Sequence, residues 1–146
     1  TGGGLVPHDG DWTYSLIFPP NHEWSRLAAT ESYLRTHKLL QATFEKIGVE
    51  TELAKSCRRP KPGECFEGHE LHDLLWNRKK IAGAAQRRNR QGLLIEGSVQ
   101  PADDWPKQDW QEALGEDFGL LDGIPAAQAD ELAEIKYSAD SHNRKR

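Results

Sequence analysis

The period of the apolar positions changes repeatedly along the chain, and each change marks an element. Residues 12 to 18, WTYSLIF, join β-branched and aromatic side chains between an Asp-Gly turn and the pair Pro19-Pro20, which predicts a strand with a hard stop. From Asn21 to Ile47 the apolar residues Trp24, Leu27, Leu34, Leu40, Phe44 and Ile47 recur mostly at three-, four- or seven-residue steps, and Gly48 is placed to end the run. That spacing predicts the long helix of the chain, capped at its start by Asn21 or Ser25. His22 and His37 read as surface or boundary residues of it.

Beyond the helix, VETEL at 49–53 alternates and predicts a short strand, and the basic, proline-containing stretch AKSCRRPKPGE predicts a loop that delivers Cys65. Strand patterns then follow in a row at 71–76, 80–87 and 92–99, joined by Asn77-Arg78-Lys79 and Asn89-Arg90-Gln91. Connections that short predict an antiparallel meander. After Pro101 the pattern turns helical: Trp110, Leu114 and Phe118 are near-helically spaced, and Pro125 opens a last helix through Leu132, Ile135 and Tyr137.

Within this pattern Lys80 is out of place, because HDLLW before it and IAGAAQRR after it are mostly apolar or small. A lysine there either snorkels to water or works. Gly83, Ala84 and Ala85 allow close strand packing, and the same smallness lets a ligand lie against the strand. Cys65 lies 15 residues before Lys80; it is either an inert loop thiol or a nucleophile whose thiolate a neighbouring cation favours. The run TGGG at 1–4 is a loop whose backbone N–H groups suit a phosphate or carboxylate, or a plain flexible turn; no GK[ST] follows it. His8 and Asp9 are turn residues or site residues with equal warrant.

Composition narrows the classes. At 146 residues the chain is one domain's worth, though 36% hydrophobic content and a mean hydropathy of −0.77 make it polar. A net charge of −4 argues against bulk nucleic-acid binding. A basic block of Arg78, Lys79, Lys80, Arg87, Arg88 and Arg90 nevertheless coincides with the Lys80 stretch. No apolar run approaches the ~20 residues that cross a bilayer. Cys57 and Cys65 read as reduced thiols of a cytoplasmic protein. His69, Glu70, His72 and Asp73 raise a metal site, but HELH lacks the HExxH helical spacing and places the histidines on opposite faces of a strand. A start at Thr1, inside a glycine loop, reads as a fragment lacking an N-terminal portion.

The segments TGGG, HDGDWTYSLI, CF, HDLLWNRKKIAGAAQRR and QGLLIEGSV, in that order, resemble the catalytic domain of the biotin/lipoate protein ligase and lipoyl/octanoyl transferase family. The resemblance covers 1–101 by motif, and ELAEIKYS is similar to the family's closing helix, so the domain reads as 1–146 with a helical part at 102–146. It implies an α/β (α+β) fold, a mixed, largely antiparallel sheet flanked by helices, that binds a medium-chain acyl group. Thr1, Gly2, Gly3 and Gly4 with His8, and Gly83, Ala84, Ala85 and Gln86, would then line the acyl or nucleotide site. The family's essential lysine, which contacts the activated acyl carbonyl, matches Lys80 rather than Lys79; the arginines that usually precede the glycine loop have no counterpart in the chain.

Two activities share this family scaffold. Cys65, in a CF step before the lysine, resembles the single-chain octanoyltransferases and implies an acyl-Cys65 thioester. The donor would be acyl carrier protein and the acceptor a lysine of a lipoyl domain of a 2-oxoacid dehydrogenase or of the glycine cleavage H protein, with no tightly bound cofactor. The alternative is an ATP-dependent lipoate-protein ligase using ATP and Mg and passing through lipoyl-AMP. A non-catalytic acyl- or carrier-binding module is the alternative of another class. The resemblance further implies a monomer without nucleic-acid or membrane partners, its basic block steering an acidic carrier protein.

Overall fold

The computed structural model describes residues 9–58, 68–116 and 118. The chain divides into two compact units, Thr1–Glu116 and Asp117–Arg146, and the elements below belong to the first. Thr1–Gly4, His8, Cys65 and the last predicted helix lie outside the described residues.

Strand β1 (Trp12–Phe18) alternates strictly, with Trp12, Tyr14, Leu16 and Phe18 buried and the residues between them exposed. It is followed by a short 3-10 turn (Glu23–Arg26), helix α1 (Ala29–Lys46), β2 (Glu52–Leu53), β3 (Leu74–Trp76), β4 (Lys79–Asn89), β5 (Gly92–Val99) and helix α2 (Lys107–Gly115). The strands form one sheet of order β1-β5-β4-β3-β2, and every ladder among the described residues is antiparallel. The predicted meander is β3-β4-β5. Asn77 and Arg78 close its first hairpin with φ of 48° and 64°, the left-handed pair that matches strand twist.

Register fixes the faces. Ala82, Ala84, Gln86 and Arg88 of β4 pair with Val99, Gly97, Ile95 and Leu93 of β5, which pair in turn with Trp12, Tyr14, Leu16 and Phe18 of β1. This is the face that α1 covers, since Gln86 bonds to Ala29 O and Arg88 to Ser32 Oγ in the first turn of that helix. At one end Trp12, Phe44, Trp105 and Trp110 make aromatic contacts with centroids 5.1–6.5 Å apart. Trp12, Phe44 and Trp110 are buried and Trp105 partly so; a fully buried side chain of this size contributes about 1.5–3 kcal/mol.

Several expectations need correction. The helix predicted from Asn21 is interrupted: Leu27 and Ala28 are extended, with ψ near 150°, and α1 starts only at Ala29. The cause is tertiary, because Arg88 takes the Trp24 and Ser25 carbonyls at 3.2 and 2.9 Å, and Ser25 Oγ donates to Pro19 O at 2.8 Å. Neither Asn21 nor Ser25 caps α1, whose cap residue Ala28 makes no side-chain bond; His22 Nδ1 instead accepts from Trp24 N in the 3-10 turn.

The buried stripe of α1 also differs from the predicted one. It consists of Ser32, Thr36, His37, Leu40, Thr43 and Phe44, so His37 is wholly buried rather than a boundary residue. Thr36 and Thr43 satisfy their hydroxyls on carbonyls four residues back, which lets a polar helix half lie against the sheet. The strand predicted at 71–76 begins only at Leu74, because Glu70 to Asp73 form a turn with His72 at φ 73° and its N–H bonded to Ala54 O. The strand predicted at 49–53 shrinks to Glu52–Leu53, while that at 80–87 extends to Lys79–Asn89.

Candidate functional site

The chemistry-bearing side chains converge where β3 begins beside the first half of β4. Lys80 belongs to β4, but its direction is set by an irregularity in the β3-β4 ladder: Leu74 pairs with Ala82 and Leu75 with Lys80, so Ile81 is an extra residue. A bulge of this kind re-aims the side chain next to it. The Lys80 ammonium meets Asp73 Oδ2 at 2.8 Å, with 13% of the lysine side chain exposed and none of the aspartate's. Lys80 therefore neither snorkels freely nor sits unpaired.

Asp73 is held from several directions. Its Oδ2 also accepts Glu70 N–H at 2.7 Å, and its Oδ1 accepts the Tyr33 hydroxyl, which arrives from α1. Its backbone is tied too: Asp73 N donates to Glu70 O at 3.1 Å, and Ala54 N donates to Asp73 O at 2.8 Å. Tyr33 reaches past β4, where its oxygen also meets the Ala84 backbone; burial first, then the Asp73 charge, pushes this phenol far above the ordinary tyrosine range. It therefore stays a protonated donor to the carboxylate.

Two further buried groups border this cluster. His37 stacks on Tyr33 with ring centroids 4.2 Å apart and sets Nδ1 3.1 Å from Tyr33 O. Burial lowers its pKa to about 4, so the imidazole is neutral, with Nδ1–H donating and Nε2 left as an acceptor. Tyr14 lies across Gly97, where an added Cβ would sit 2.3 Å from its Cζ and hydroxyl oxygen, and burial raises its pKa as well. Tyr14 OH and His37 Nε2 find no hydrogen-bond partner among the described residues.

The predicted binding residues on β4 separate by face. Gly83 borders Lys80 directly: a Cβ there would lie 2.9 Å from Lys80 Cε and 3.0 Å from Nζ. Ala84 faces α1 in the same row as Gly97 and Tyr14, whereas Ala85 is exposed on the other face. Gln86 is engaged by its neighbours, donating to Ala29 O at 2.7 Å and accepting from Ser32 Oγ at 2.8 Å. The structure thus brings Lys80 and Gly83 together.

The basic block does not survive as one patch. Arg88 is built into the joint between β4 and the start of α1, donating to Trp24 O, Ser25 O, Ser32 Oγ and Gln86 Oε1. Arg78 and Lys79 are exposed at one end of β4 and Arg87 and Arg90 at the other, on the order of 30 Å apart at strand rise. The residues that sequence reasoning missed are Asp73, Tyr33, His37 and Tyr14. Tyr33 and His37 carried a signal, being four apart and hence on one helix face. In the sequence Asp73 reads only as a candidate metal ligand.

A family model described as the lipoyl protein ligase A/B catalytic domain matches residues 1–101. Among curated proteins, octanoyltransferase LipM of Staphylococcus epidermidis is 33% identical over 107 residues, and that of Staphylococcus aureus is 32% identical over 107. Each match takes in 68% of this chain and 39% of the relative, so the chain spans about two fifths of the relatives' length. Among solved structures, a lipoate protein ligase from T. acidophilum superposes with a TM-score of 0.73 at 19% identity, covering 97% of this chain and 68% of that one. Lipoate-protein ligase A bound with ATP gives 0.72 at 18% identity with the same coverage. At such identities the likeness shows the fold.

Proposed function

The chain belongs to the lipoyl protein ligase A/B catalytic domain family, and from that premise we propose that it serves protein lipoylation as the acyl-binding part of an octanoyltransferase. The observation that carries this is the Lys80 ammonium, paired at 2.8 Å with a wholly buried carboxylate, beside a glycine that leaves it room, on the strand that the family match covers. A partly exposed cation in such a seat suits the oxygen of an acyl carbonyl, where one fixed donor contributes on the order of 3 kcal/mol to the transition state.

In the proposed reaction the Cys65 thiolate attacks the octanoyl thioester of an acyl carrier protein. Lys80 stabilises the negative charge that develops on the carbonyl oxygen. The donor's C–S bond breaks, the carrier thiolate takes up a proton, and octanoyl-Cys65 remains. The ε-amine of a carrier-domain lysine then attacks this second thioester, forming the amide and returning the Cys65 thiol after losing its proton. The choice of transfer rests on the LipM relatives, which are named octanoyltransferases. A lipoyl domain is the proposed acceptor; the bi-partite lipoate protein ligase of Thermoplasma acidophilum is described together with its E2 lipoyl domain.

The full-length protein, mixed with octanoyl-acyl carrier protein in the absence of ATP, should gain one octanoyl mass on Cys65 and pass it to a lipoyl domain. Transfer that survives Cys65→Ser, or that occurs only from free lipoate with ATP, overturns this proposal in favour of ligation.

A further inference from the structure

We propose that Asp73 is the positioning residue of Lys80, and that Gly83 forms the other wall of the same seat; this rests on the reading of Lys80 as the carbonyl-binding cation. The cluster is built in a direction that stability alone does not explain. Removing an ammonium and a carboxylate from water carries a desolvation penalty that their attraction only partly offsets, and apolar replacements of such pairs are often as stable or more so. Asp73 nevertheless lies at 0% exposure with three donors on its two oxygens, Lys80 Nζ and Glu70 N–H on Oδ2 and the Tyr33 hydroxyl on Oδ1. Those donors come from three separate segments, so the carboxylate cannot swing with any one of them.

The lysine end of the pair is confined in a complementary way. The bulge at Ile81 aims Lys80 toward Asp73 at the start of β3, and Gly83 leaves the space that its last methylene and ammonium occupy. Asp73 Oδ1 would lie 3.8 Å from a Cβ at Gly83, so carboxylate, ammonium and glycine meet at one point. The 13% of the lysine side chain left exposed is the part that a ligand can reach. A cation on a four-carbon stem has many rotamers; here an anion on one side and a missing side chain on the other select among them. For a group that must meet a developing oxyanion, holding that position beforehand acts on kcat rather than on binding.

The test uses the full-length protein with octanoyl-acyl carrier protein and a lipoyl domain, and the variants Asp73→Asn, Gly83→Ala and Lys80→Ala with the two double combinations. Asp73→Asn and Gly83→Ala should each lower kcat by about 10- to 100-fold, with KM moved much less. On the Lys80→Ala background neither should lower it further, because the residue they position is gone. Labelling of Lys80 by an amine-specific reagent should quicken in both single variants, a readout independent of the acyl donor. Gly83→Ala displaces only the flexible end of Lys80, so it keeps the question answerable where Asp73→Asn fails to fold. Wild-type kcat and labelling in Gly83→Ala, or losses that persist unchanged without Lys80, overturn the seat. Full activity of Lys80→Ala overturns instead the role of Lys80 itself, while quickened labelling would still uphold the seat.

Discussion

His37 ties the stability of the site to pH in a way that can be worked out in advance. The residue is wholly buried on α1, with Nδ1 on Tyr33 O, and its surroundings include Asp73, Lys80 and His72. Burial dominates, and lowers its pKa from 6.5 to about 4. A base whose folded pKa is depressed binds its proton more readily when unfolded, so above ~6.5 neither state is protonated and nothing is lost. As pH falls from there toward about 4 the unfolded state gains the proton and the folded state does not, and stability declines. At about pH 5 the deficit relative to about pH 7.5 amounts to roughly 2 kcal/mol, growing to about 3 kcal/mol below the folded pKa. Urea denaturation at these two pH values, on the wild type and on His37→Gln, measures it. The variant should show a smaller fall between the two pH values, by about 2 kcal/mol, since the carboxylates titrate alike in both. Equal falls refute the claim that His37 is buried as a neutral group.

Further perturbations probe how the site is supported. Gly97→Ala should cost about 1–3 kcal/mol, because the new Cβ would lie 2.3 Å from both Cζ and the hydroxyl of Tyr14; an unchanged urea midpoint counts against that contact, and adding Tyr14→Phe should not rescue it, as Cζ remains. Arg88→Ala strips a donor from the Trp24 and Ser25 carbonyls and from Ser32 and Gln86. It should cost about 2 kcal/mol and quicken amide exchange in the first turns of α1, whereas a solvated, carrier-docking arginine would leave both untouched. The Cys65 adduct and the Asp73–Gly83 seat supply the functional tests given above.

Period and turn chemistry determined much of the architecture from the sequence by itself. The β-branched and aromatic run of Trp12–Phe18, bounded by an Asp-Gly turn and Pro19-Pro20, gave β1, and two short polar connections gave the β3-β4-β5 meander, because strand content and hairpin length are local properties. Lys80 stood out because a cation is costly between apolar strands, and its assignment as the acyl-contacting lysine came from the resemblance. Gly83 was legible only as a small residue. What tertiary structure alone decided is where long-range partners compete with local preference. Arg88, more than 60 residues away, draws the Trp24 and Ser25 carbonyls out of the predicted helix. The α1 stripe is polar where it meets Gln86 and Arg88, a match that helical period cannot reveal. Asp73 becomes the partner of Lys80 because a turn, a bulge and a tyrosine on a distant helix meet at one place. Chain order separates those elements, and only folding sets them within hydrogen-bond reach.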